Sequence, residues 1–314
     1  MRNLTLRQLR IFVSAAKLLS FSRAAESLHI TAPAVSQQIK EMENDLACSL
    51  FRREGRGVSL TTSGEQFLVY AIKVLTTLEQ AQQALNDLQG TYAGSLTIGL
   101  VSTTRYFFPT ILAEFQKQYP QVNLRVDVKN RAQLIDQLHA GEIDLAMMGK
   151  PPTSLISHAT RFALHPHVFI ASPQHPLAQQ KKLQPQALQQ VEIITREQGS
   201  GTRYIMENFF QRHHLNPSTR IEISGNETIK QAVIAELGIS LISIHTINQE
   251  VKNQQLVILD IEHTPIMRDW YVVKPQKRER SNASDAFEAF IVQQASTLFE
   301  QMFAEVNAIV GQIG

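Results

Sequence analysis

Apolar residues in the first fifty positions recur at the spacing of α-helices. Thr5 and Gln8 have capping-box spacing and begin a first helix. Its predicted inner face carries Leu6, Leu9, Val13 and Ala16. Phe21 and Ser22 interrupt the pattern, so a second, brief helix is predicted over residues 23–28.

A third helix is predicted from Thr31 to Leu46. Thr31 is a suitable N-cap, and Pro33 falls in the first turn, where its missing N–H is tolerated. The residues predicted to face the core recur at intervals of four, three and four, namely Val35, Ile39, Met42 and Leu46. The opposite face then carries Pro33, Ser36, Gln37, Lys40 and Asn44. Two helices joined by a tight turn, the second with a small polar face, are typical of a helix–turn–helix.

A hairpin and a long helix are predicted next. Residues 50–61 place two glycines at a tip between apolar residues, which indicates a small β-hairpin. Thr62 and Glu65 have capping-box spacing and begin a helix that runs to about Gln89 and ends at Gly90. Its apolar residues follow a strict heptad seam, namely Phe67, Ala71, Val74, Leu78, Ala81, Leu85 and Leu88. Such a seam predicts a coiled coil, and therefore a dimerising helix.

From Ser95 onward, strand patterns alternate with helical ones. The predicted strands are 96–100, 122–128, 144–148, 168–172, 191–195, 221–224, 239–243, 256–261 and 270–274. The predicted helices between them include 109–118, 131–139, 202–213 and 227–237. Alternation of this kind predicts an α/β architecture with helices on both faces of the sheet, as one large domain or two small halves.

Length and composition agree with a folded chain of about two domains. The 314 residues are 43% hydrophobic and 18% charged, and the longest apolar run is six residues, Phe67–Ile72, too short to span a bilayer. The single cysteine, Cys48, excludes an intramolecular disulfide and a cysteine-rich metal site. We therefore expect a soluble, cytoplasmic protein that does not insert into membranes.

Charge adds a candidate for nucleic-acid binding. Residues 1–65 hold nine basic and six acidic side chains, whereas the rest of the chain is near neutral. On the third helix, the candidate DNA contacts are Thr31, Ala32, Pro33, Ser36, Gln37 and Lys40. Glutamine can read adenine, and lysine can reach phosphate. The hairpin adds Arg52, Arg53 and Arg56 along the backbone or minor groove. The alternative is an ordinary three-helix bundle with a solvated polar face.

Two turns of the α/β region have the composition of anion sites. Residues 100–105 and 199–203 each follow a predicted strand and precede a helix, and each combines hydroxyls, backbone N–H groups and one arginine. Their candidate ligands are Ser102, Thr103, Thr104, Arg105, Ser200, Thr202 and Arg203. The alternative is that the hydroxyls are only N-caps and the glycines only turn residues. At Asn226, capping is the favoured role.

The sequence contains no complete enzyme signature. The chain lacks a complete phosphate loop, dinucleotide fingerprint, serine-nucleophile elbow and His-Glu-x-x-His zinc motif. The pairs His165/His167 and His213/His214 have no carboxylate or cysteine at ligand spacing. We therefore predict no catalytic residue, no metal and no cofactor.

The ordered motifs resemble the LysR-type transcriptional regulators. The resemblance rests on Leu6-Arg-Gln-Leu-Arg-Ile-Phe12, Phe21-Ser-Arg-Ala-Ala25, Pro33-Ala-Val-Ser-Gln-Gln-Ile39, Leu50-Phe-Arg-Arg53 and Leu60-Thr-Thr-Ser-Gly64. It implies an α/β chain with an N-terminal winged helix–turn–helix dominated by α-helix (1–61) and a dimerising linker helix (62–90). An effector-binding domain of periplasmic-binding-protein type (91–314) follows, with subdomain I at about 91–163 and 268–314 and subdomain II at about 164–267.

Within that family, the chain looks most like the CbbR-type regulators of Calvin-cycle carbon-fixation operons. Residues 101–107, 148–152, 199–203, 226–232 and 270–273 carry this likeness. It implies a small anionic effector such as a phosphorylated metabolite, with Ser102, Thr103, Thr104, Gly149 and Thr202 in the effector cleft. Arg105 and Arg203 are added from their charge alone.

The resemblance also implies partners. These are double-stranded promoter DNA, RNA polymerase, and further copies of the chain in a homodimer and a homotetramer assembled from dimers. An alternative left open is a LysR-type regulator of another operon that senses a different small organic anion. The direction of regulation, activation or repression, is also open.

Overall fold

The computed structural model describes residues 4–54, 57–88, 94–276 and 281–311. The chain divides into two compact units, Met1–Gln89 together with Ala140–Glu142, and Gly90–His139 together with Ile143–Gly314. Each unit is described by itself below. No helix within the described ranges is long and apolar enough to cross a membrane.

The first unit is a helical bundle with a β-hairpin. Its elements are α1 (Leu6–Leu18), α2 (Phe21–Ser27), α3 (Ala32–Leu46), β1 (Phe51–Glu54), β2 (Gly57–Leu60) and α4 (Thr62–Leu88). The core packs the predicted inner faces of α1 and α3 together, with Leu9, Phe12, Val35, Ile39, Met42 and Leu50 buried. The capping box at Thr5 and the N-cap at Thr31 are both formed, as predicted.

Two predicted helix starts are wrong by one or two residues. Helix α2 begins at Phe21 rather than Arg23, because the Ser20 side chain accepts a hydrogen bond from the Arg23 N–H and caps the helix earlier. For α4, Thr61 caps the helix in place of Thr62, since its hydroxyl accepts from the Gly64 N–H at 3.0 Å.

Gly64 allows α4 to approach the start of the hairpin closely. A Cβ at this position would lie 2.1 Å from the backbone oxygen of Leu50, a fully buried residue. The Leu50 carbonyl also accepts a hydrogen bond from the Thr61 N–H at 3.0 Å, so it is held in place. Only glycine fits there without moving the backbone.

The predicted heptad seam of α4 divides into two parts. Ala71 is buried and Phe67 packs against the core of the first unit, so the beginning of the seam serves that core. The later residues Val74, Leu78 and Leu85 are exposed large hydrophobic side chains. The side chain of Leu88 and the residue Gly90 lie outside the described residues.

The second unit contains the remaining strands and helices. Its strands are β3 (Gly94–Val101), β4 (Val122–Lys129), β5 (Leu145–Met148), β6 (Ser157–Leu164), β7 (His167–Ala171), β8 (Glu192–Arg196), β9 (Ser218–Ile223), β10 (Ser240–Ser243), β11 (Val257–Ile258) and β12 (Asp269–Pro275). Its α-helices are α5 (Phe108–Gln118), α6 (Arg131–Ala140), α7 (Gly201–Arg212), α8 (Asn226–Ile234), α9 (Asn248–Lys252) and α10 (Asn282–Val310).

These strands form two α/β halves. In the first half, the sheet order is β4-β3-β5-β12-β6, with β3 parallel to both β4 and β5. In the second, β7 lies between β10 and β11, while β8 pairs with β9 in parallel. A parallel bridge between Ile193 and Ile239 connects these two groups of strands.

Two adjacent strand crossings connect the halves. The chain leaves the first half at His165 and returns at Arg268, and the His165 N–H donates to the Arg268 carbonyl at 2.7 Å. Two residues further along the outgoing crossing, the carbonyl of His167 accepts a hydrogen bond from the Ile266 N–H at 2.8 Å.

The second unit departs from the sequence prediction at one strand that was missed and at one that was predicted too long. Strand β6 was not predicted, because most of its side chains are partly exposed and it lies at the edge of its sheet. The strand expected over 256–261 shortens to the two residues of β11. The segment after Ile291 continues α10 to Val310, with a kink at Phe303, and buries Phe299, Phe303 and Val306 in the core.

Candidate nucleic-acid interface and ligand cavity

The outer face of α3 presents the side chains predicted to meet DNA. Pro33, Ser36, Gln37 and Lys40 are exposed, opposite the buried stripe of the same helix. Thr31 is exposed as well, but its hydroxyl accepts from the Ala34 N–H at 3.3 Å, so it also caps the helix. Ala32, the remaining predicted contact on α3, is partly buried.

A glutamate that sequence reasoning missed lies on the same outer face. Glu41 is exposed and accepts hydrogen bonds from two glutamine amides, Gln37 Nε2 and Gln38 Nε2, both at 2.8 Å. Each amide uses a different carboxylate oxygen. The signal was available in the sequence, since Gln37 and Glu41 are four residues apart and therefore neighbours on a helix.

A second glutamate connects α3 to the hairpin. Glu43 Oε1 accepts from the backbone N–H groups of Leu50 and Phe51, at 2.7 and 3.0 Å. Both donors lie where the chain enters β1. The position of the hairpin relative to α3 therefore depends in part on one carboxylate oxygen.

The hairpin carries the predicted arginines on an exposed strand. Arg52 and Arg53 are exposed and adjacent on β1, so their side chains point to opposite faces. Arg52 Nε donates to Glu54 Oε1 at 3.0 Å and to Ser59 Oγ at 2.8 Å. Arg56 lies outside the described residues.

The second unit contains a cavity of about 450 Å³ between its two halves. The end of β3, the start of α6 and the end of β5 line it from one half, and the start of α7 lines it from the other. Among the residues predicted for the effector, those on the lining are Ser102, Thr103, Gly149, Ser200, Thr202 and Arg203. Five cationic side chains also contribute: Arg131, Lys150, Arg196, Arg203 and Arg268.

The N-terminus of α7 opens onto this cavity. Ser200 is its N-cap residue, but within the described residues the Ser200 side chain makes no capping hydrogen bond to the first turn. The preceding Gly199 has a φ of +81°, which brings the chain into the helix by a left-handed turn that favours glycine. The first N–H groups of α7 and the positive end of its dipole are therefore available to an anion.

Four of these five cations were missed by the sequence reasoning, namely Arg131, Lys150, Arg196 and Arg268. Arg131 donates to the carbonyl oxygens of Lys150 and Pro151, at 3.2 and 3.3 Å, and its partial burial lowers the pKa of its guanidinium. Lys150 donates to the Tyr204 hydroxyl at 3.2 Å, and this hydrogen bond lowers the pKa of Tyr204. Arg268 has no salt-bridge partner among the described residues.

Arg196 holds the two halves of the cavity together. Its buried guanidinium pairs with both Glu197 oxygens at 2.7 Å, donates to Asn226 Oδ1, and reaches Ser102 Oγ in the opposite half at 3.3 Å. The Asn226 amide in turn donates to Thr103 Oγ1 at 3.4 Å. Asn226 is therefore a bridging residue and not the N-cap expected from sequence; the N-cap of α8 is Gly225.

Three predicted effector residues are placed differently from expectation. Thr104 is fully buried behind the lining, where its hydroxyl donates to the Val101 carbonyl, and Arg105 is exposed away from the lining. Arg203 reaches the lining, but its guanidinium is engaged with Glu207 at 2.7 Å and Glu222 at 2.5 Å, which raises its pKa. Its charge is thus already balanced by two carboxylates.

His165 and His167 on the crossing strands line the cavity, and His245 lies beside His165. His165 stacks on Trp270 with ring centroids 3.6 Å apart, and His245 Nδ1 accepts from the Trp270 indole N–H at 3.2 Å. Burial lowers the pKa of His167 and of His245 to about 3, and that of His165 well below its usual value. All three imidazoles are therefore neutral at pH 7 and add no positive charge to the cavity. Across the described residues, no three His, Cys, Asp or Glu side chains are grouped to hold a metal ion.

Comparison with known proteins assigns both units. The family model "Bacterial regulatory helix-turn-helix protein, lysR family" matches residues 6–65, and "LysR substrate binding domain" matches residues 89–296. The regulator CfxR of Cupriavidus necator is 42% identical over 93% of this chain and 92% of its own length. The RuBisCO operon transcriptional regulator of Allochromatium vinosum is 38% identical over 94% of this chain and 98% of its own.

A solved structure resembles the second unit. The regulatory domain of Synechocystis CcmR in complex with 2-PG superposes with a TM-score of 0.62 at 35% identity, covering 63% of this chain and 96% of that one. The families and relatives are transcriptional regulators rather than enzymes. The chain therefore belongs to the LysR family of bacterial helix–turn–helix transcriptional regulators.

Proposed function

We propose that this protein regulates a carbon-fixation operon in response to a small anionic metabolite that carries a phosphate or a similar group. The observation that carries the proposal is the cavity, where the open N-terminus of α7 meets several cationic side chains. The relatives named for RuBisCO-operon control and the 2-PG complex of CcmR support the choice of operon and of ligand class.

The ligand contacts are assigned by which donors remain available. The N–H groups at the start of α7, with Ser200 and Thr202, bind the anionic group, and Arg268 supplies a charge that no described carboxylate balances. Ser102, Thr103 and Gly149 contact the ligand from the other half. Charge-assisted hydrogen bonds of this kind are the strong ones in proteins.

DNA binding is assigned to the first unit. Ser36 and Gln37 on α3 reach base edges, and Thr31, Ala32, Pro33 and Lys40 make apolar and phosphate contacts around them. Arg52, Arg53 and Arg56 of the hairpin follow the DNA backbone or enter the minor groove.

Self-association is assigned to α4. Its exposed apolar residues Val74, Leu78 and Leu85 fall on the heptad seam, which supports a homodimer joined along this helix. A homotetramer of two dimers and a contact with RNA polymerase complete the proposed assembly.

The ligand acts by favouring one arrangement of the two halves. Arg196 of one half already bonds to Ser102 of the other, so a ligand bound between them changes the free energy of an existing connection. A ligand shifts such an equilibrium only as far as its affinities for the two arrangements differ.

The test is a gel shift at fixed salt on the promoter upstream of the protein's own gene, with and without a panel of phosphorylated metabolites. We expect a specific shift that one anion alters. Arg268→Gln should weaken the binding of that anion by about 10- to 100-fold, as expected when a charged hydrogen-bonding partner is lost. It should leave DNA binding in the absence of the anion unchanged. Arg105→Gln removes the same charge outside the lining and serves as the matched control.

The two units should also be separable. Gln37→Ala should weaken specific DNA binding by about 1–3 kcal/mol and leave anion binding intact, and Thr202→Ala should do the reverse. Response to a non-phosphorylated organic anion at another operon would favour the alternative regulator. Absence of any specific shift would refute the proposed function.

A further inference from the structure

We propose that Glu41 is a positioning residue for DNA recognition, which holds the amide of Gln37 in the one orientation that reads its base. The inference rests on the proposed function, because it takes Gln37 as a base-reading side chain. Glu41 itself need not touch a base. It lies one helical turn after Gln37 on the exposed outer face of α3.

The geometry fixes which end of the amide faces the carboxylate. Gln37 Nε2 lies 2.8 Å from Glu41 Oε1. An ionised carboxylate only accepts hydrogen bonds, so the amide must present its NH₂ group, and the reversed amide would place two oxygens against each other. The usual ambiguity between the two ends of a glutamine amide is thereby removed.

What remains free on Gln37 matches a base edge. One N–H is held by Glu41, which leaves the second N–H as a donor and the carbonyl oxygen as an acceptor. A donor and an acceptor in that order are what a glutamine uses to bind adenine at N7 and N6. A freely rotating amide would also offer the opposite order, which other base edges accept.

The second glutamine strengthens the arrangement. Gln38 Nε2 occupies the other oxygen, Glu41 Oε2, at 2.8 Å. The carboxylate is thus held from both sides and cannot turn away from Gln37 without breaking a hydrogen bond. An acidic side chain on this face weakens attraction to phosphate, so its contribution is to selectivity and not to affinity.

The experiment measures affinity and selectivity separately with the full-length protein. Binding is titrated by fluorescence anisotropy at one salt concentration on its own promoter duplex, on duplexes with single base changes, and on a scrambled duplex. For Glu41→Gln, binding to the scrambled duplex should rise by about two- to threefold as a negative charge is lost. At the base read by Gln37, the preference for the correct pair should fall by about two- to fivefold.

Two controls isolate the positioning role. Glu26→Gln removes an equal charge from the exposed surface of α2 and should raise non-specific binding without loss of preference. In a Gln37→Ala background, Glu41→Gln should leave the preference unchanged, because the amide it positions is gone. A general structural effect of Glu41 would not depend on Gln37 in this way.

The outcomes are distinguishable. An unchanged preference in Glu41→Gln, or the same loss in the Gln37→Ala background, would overturn the inference while leaving the proposed function in place. A wild-type protein that does not prefer its promoter to the scrambled duplex would refute both.

Discussion

Replacing Glu43 by alanine should loosen the hairpin from the recognition helix. The substitution removes the acceptor of two backbone N–H groups, those of Leu50 and Phe51, at a place where Leu50 is fully buried. A buried donor left without a partner costs about 1–3 kcal/mol. Because Phe51 is only partly buried, its N–H regains some solvation, and the two donors together give about 2–4 kcal/mol of local destabilisation. That is a large fraction of the total stability of a small domain.

Hydrogen–deuterium exchange of the full-length protein measures this effect where it occurs. A loss of about 2–4 kcal/mol in local opening free energy accelerates exchange of the affected amides by about 30- to 1000-fold. Peptides covering residues 49–54 should show it, while peptides from β7 in the other unit should not change.

Glu43→Gln is the matched variant. Both hydrogen bonds end on one oxygen, which a glutamine carbonyl replaces without the charge, so most of the protection should return. Equal exchange in wild type and Glu43→Ala would refute the reasoning. So would equal acceleration in both variants, since the hydrogen bonds would then not be the cause.

The remaining predictions concern packing and protonation. Gly64→Ala should destabilise the first unit by more than about 1 kcal/mol, because its Cβ would meet a fixed backbone carbonyl at 2.1 Å; differential scanning calorimetry that shows an unchanged first transition would contradict this. Phe303→Ala should destabilise the second unit by about 3–5 kcal/mol, because its ring is buried. Urea unfolding followed by the fluorescence of Trp270, the single tryptophan, measures this loss. A loss below about 1 kcal/mol would argue against a packed ring. The free energy of unfolding of that unit should fall as the pH drops from about 6.5 toward 3, by up to about 1.4 kcal/mol per pH unit for each of His167 and His245. In this range the imidazoles of the unfolded chain bind protons, whereas the buried imidazoles stay neutral. Replacing His167 by glutamine should reduce that slope, and an unchanged slope would show that other groups cause it.

Local patterns predicted much of the fold because the signals were themselves local. The inner stripes of α1 and α3 and the cap at Thr31 involve residues within one or two turns of each other. Strand β6 had no such signal, since an edge strand with few buried side chains lacks a hydrophobic alternation. The burial of the end of α10 had no local signal either, because it depends on partners far away in the sequence.

The cavity could be predicted only in part, for the same reason. Its hydroxyls and glycines stood out in short turns, whereas Arg131 and Lys150 are single charges without a motif. They meet because β3 lies between β4 and β5, so the carboxyl ends of those strands share an edge. Arg203 was chosen for its charge, and nothing near it in sequence indicated that Glu222 on β9 would bind it.

The course of α10 changes the mechanics of the second unit. Two adjacent strand crossings alone would act as a hinge and allow the halves to rotate about one axis. Helix α10 packs on α5 and β6 of the first half, and its end then reaches α9 of the second, where the Asn248 amide donates to the Met302 carbonyl at 3.2 Å. This attachment is separate from the crossings and stiffens that axis, and its final turns follow residue 296, where the family match ends. The work needed to move the halves is therefore set in part by a segment that contributes nothing to the lining of the cavity.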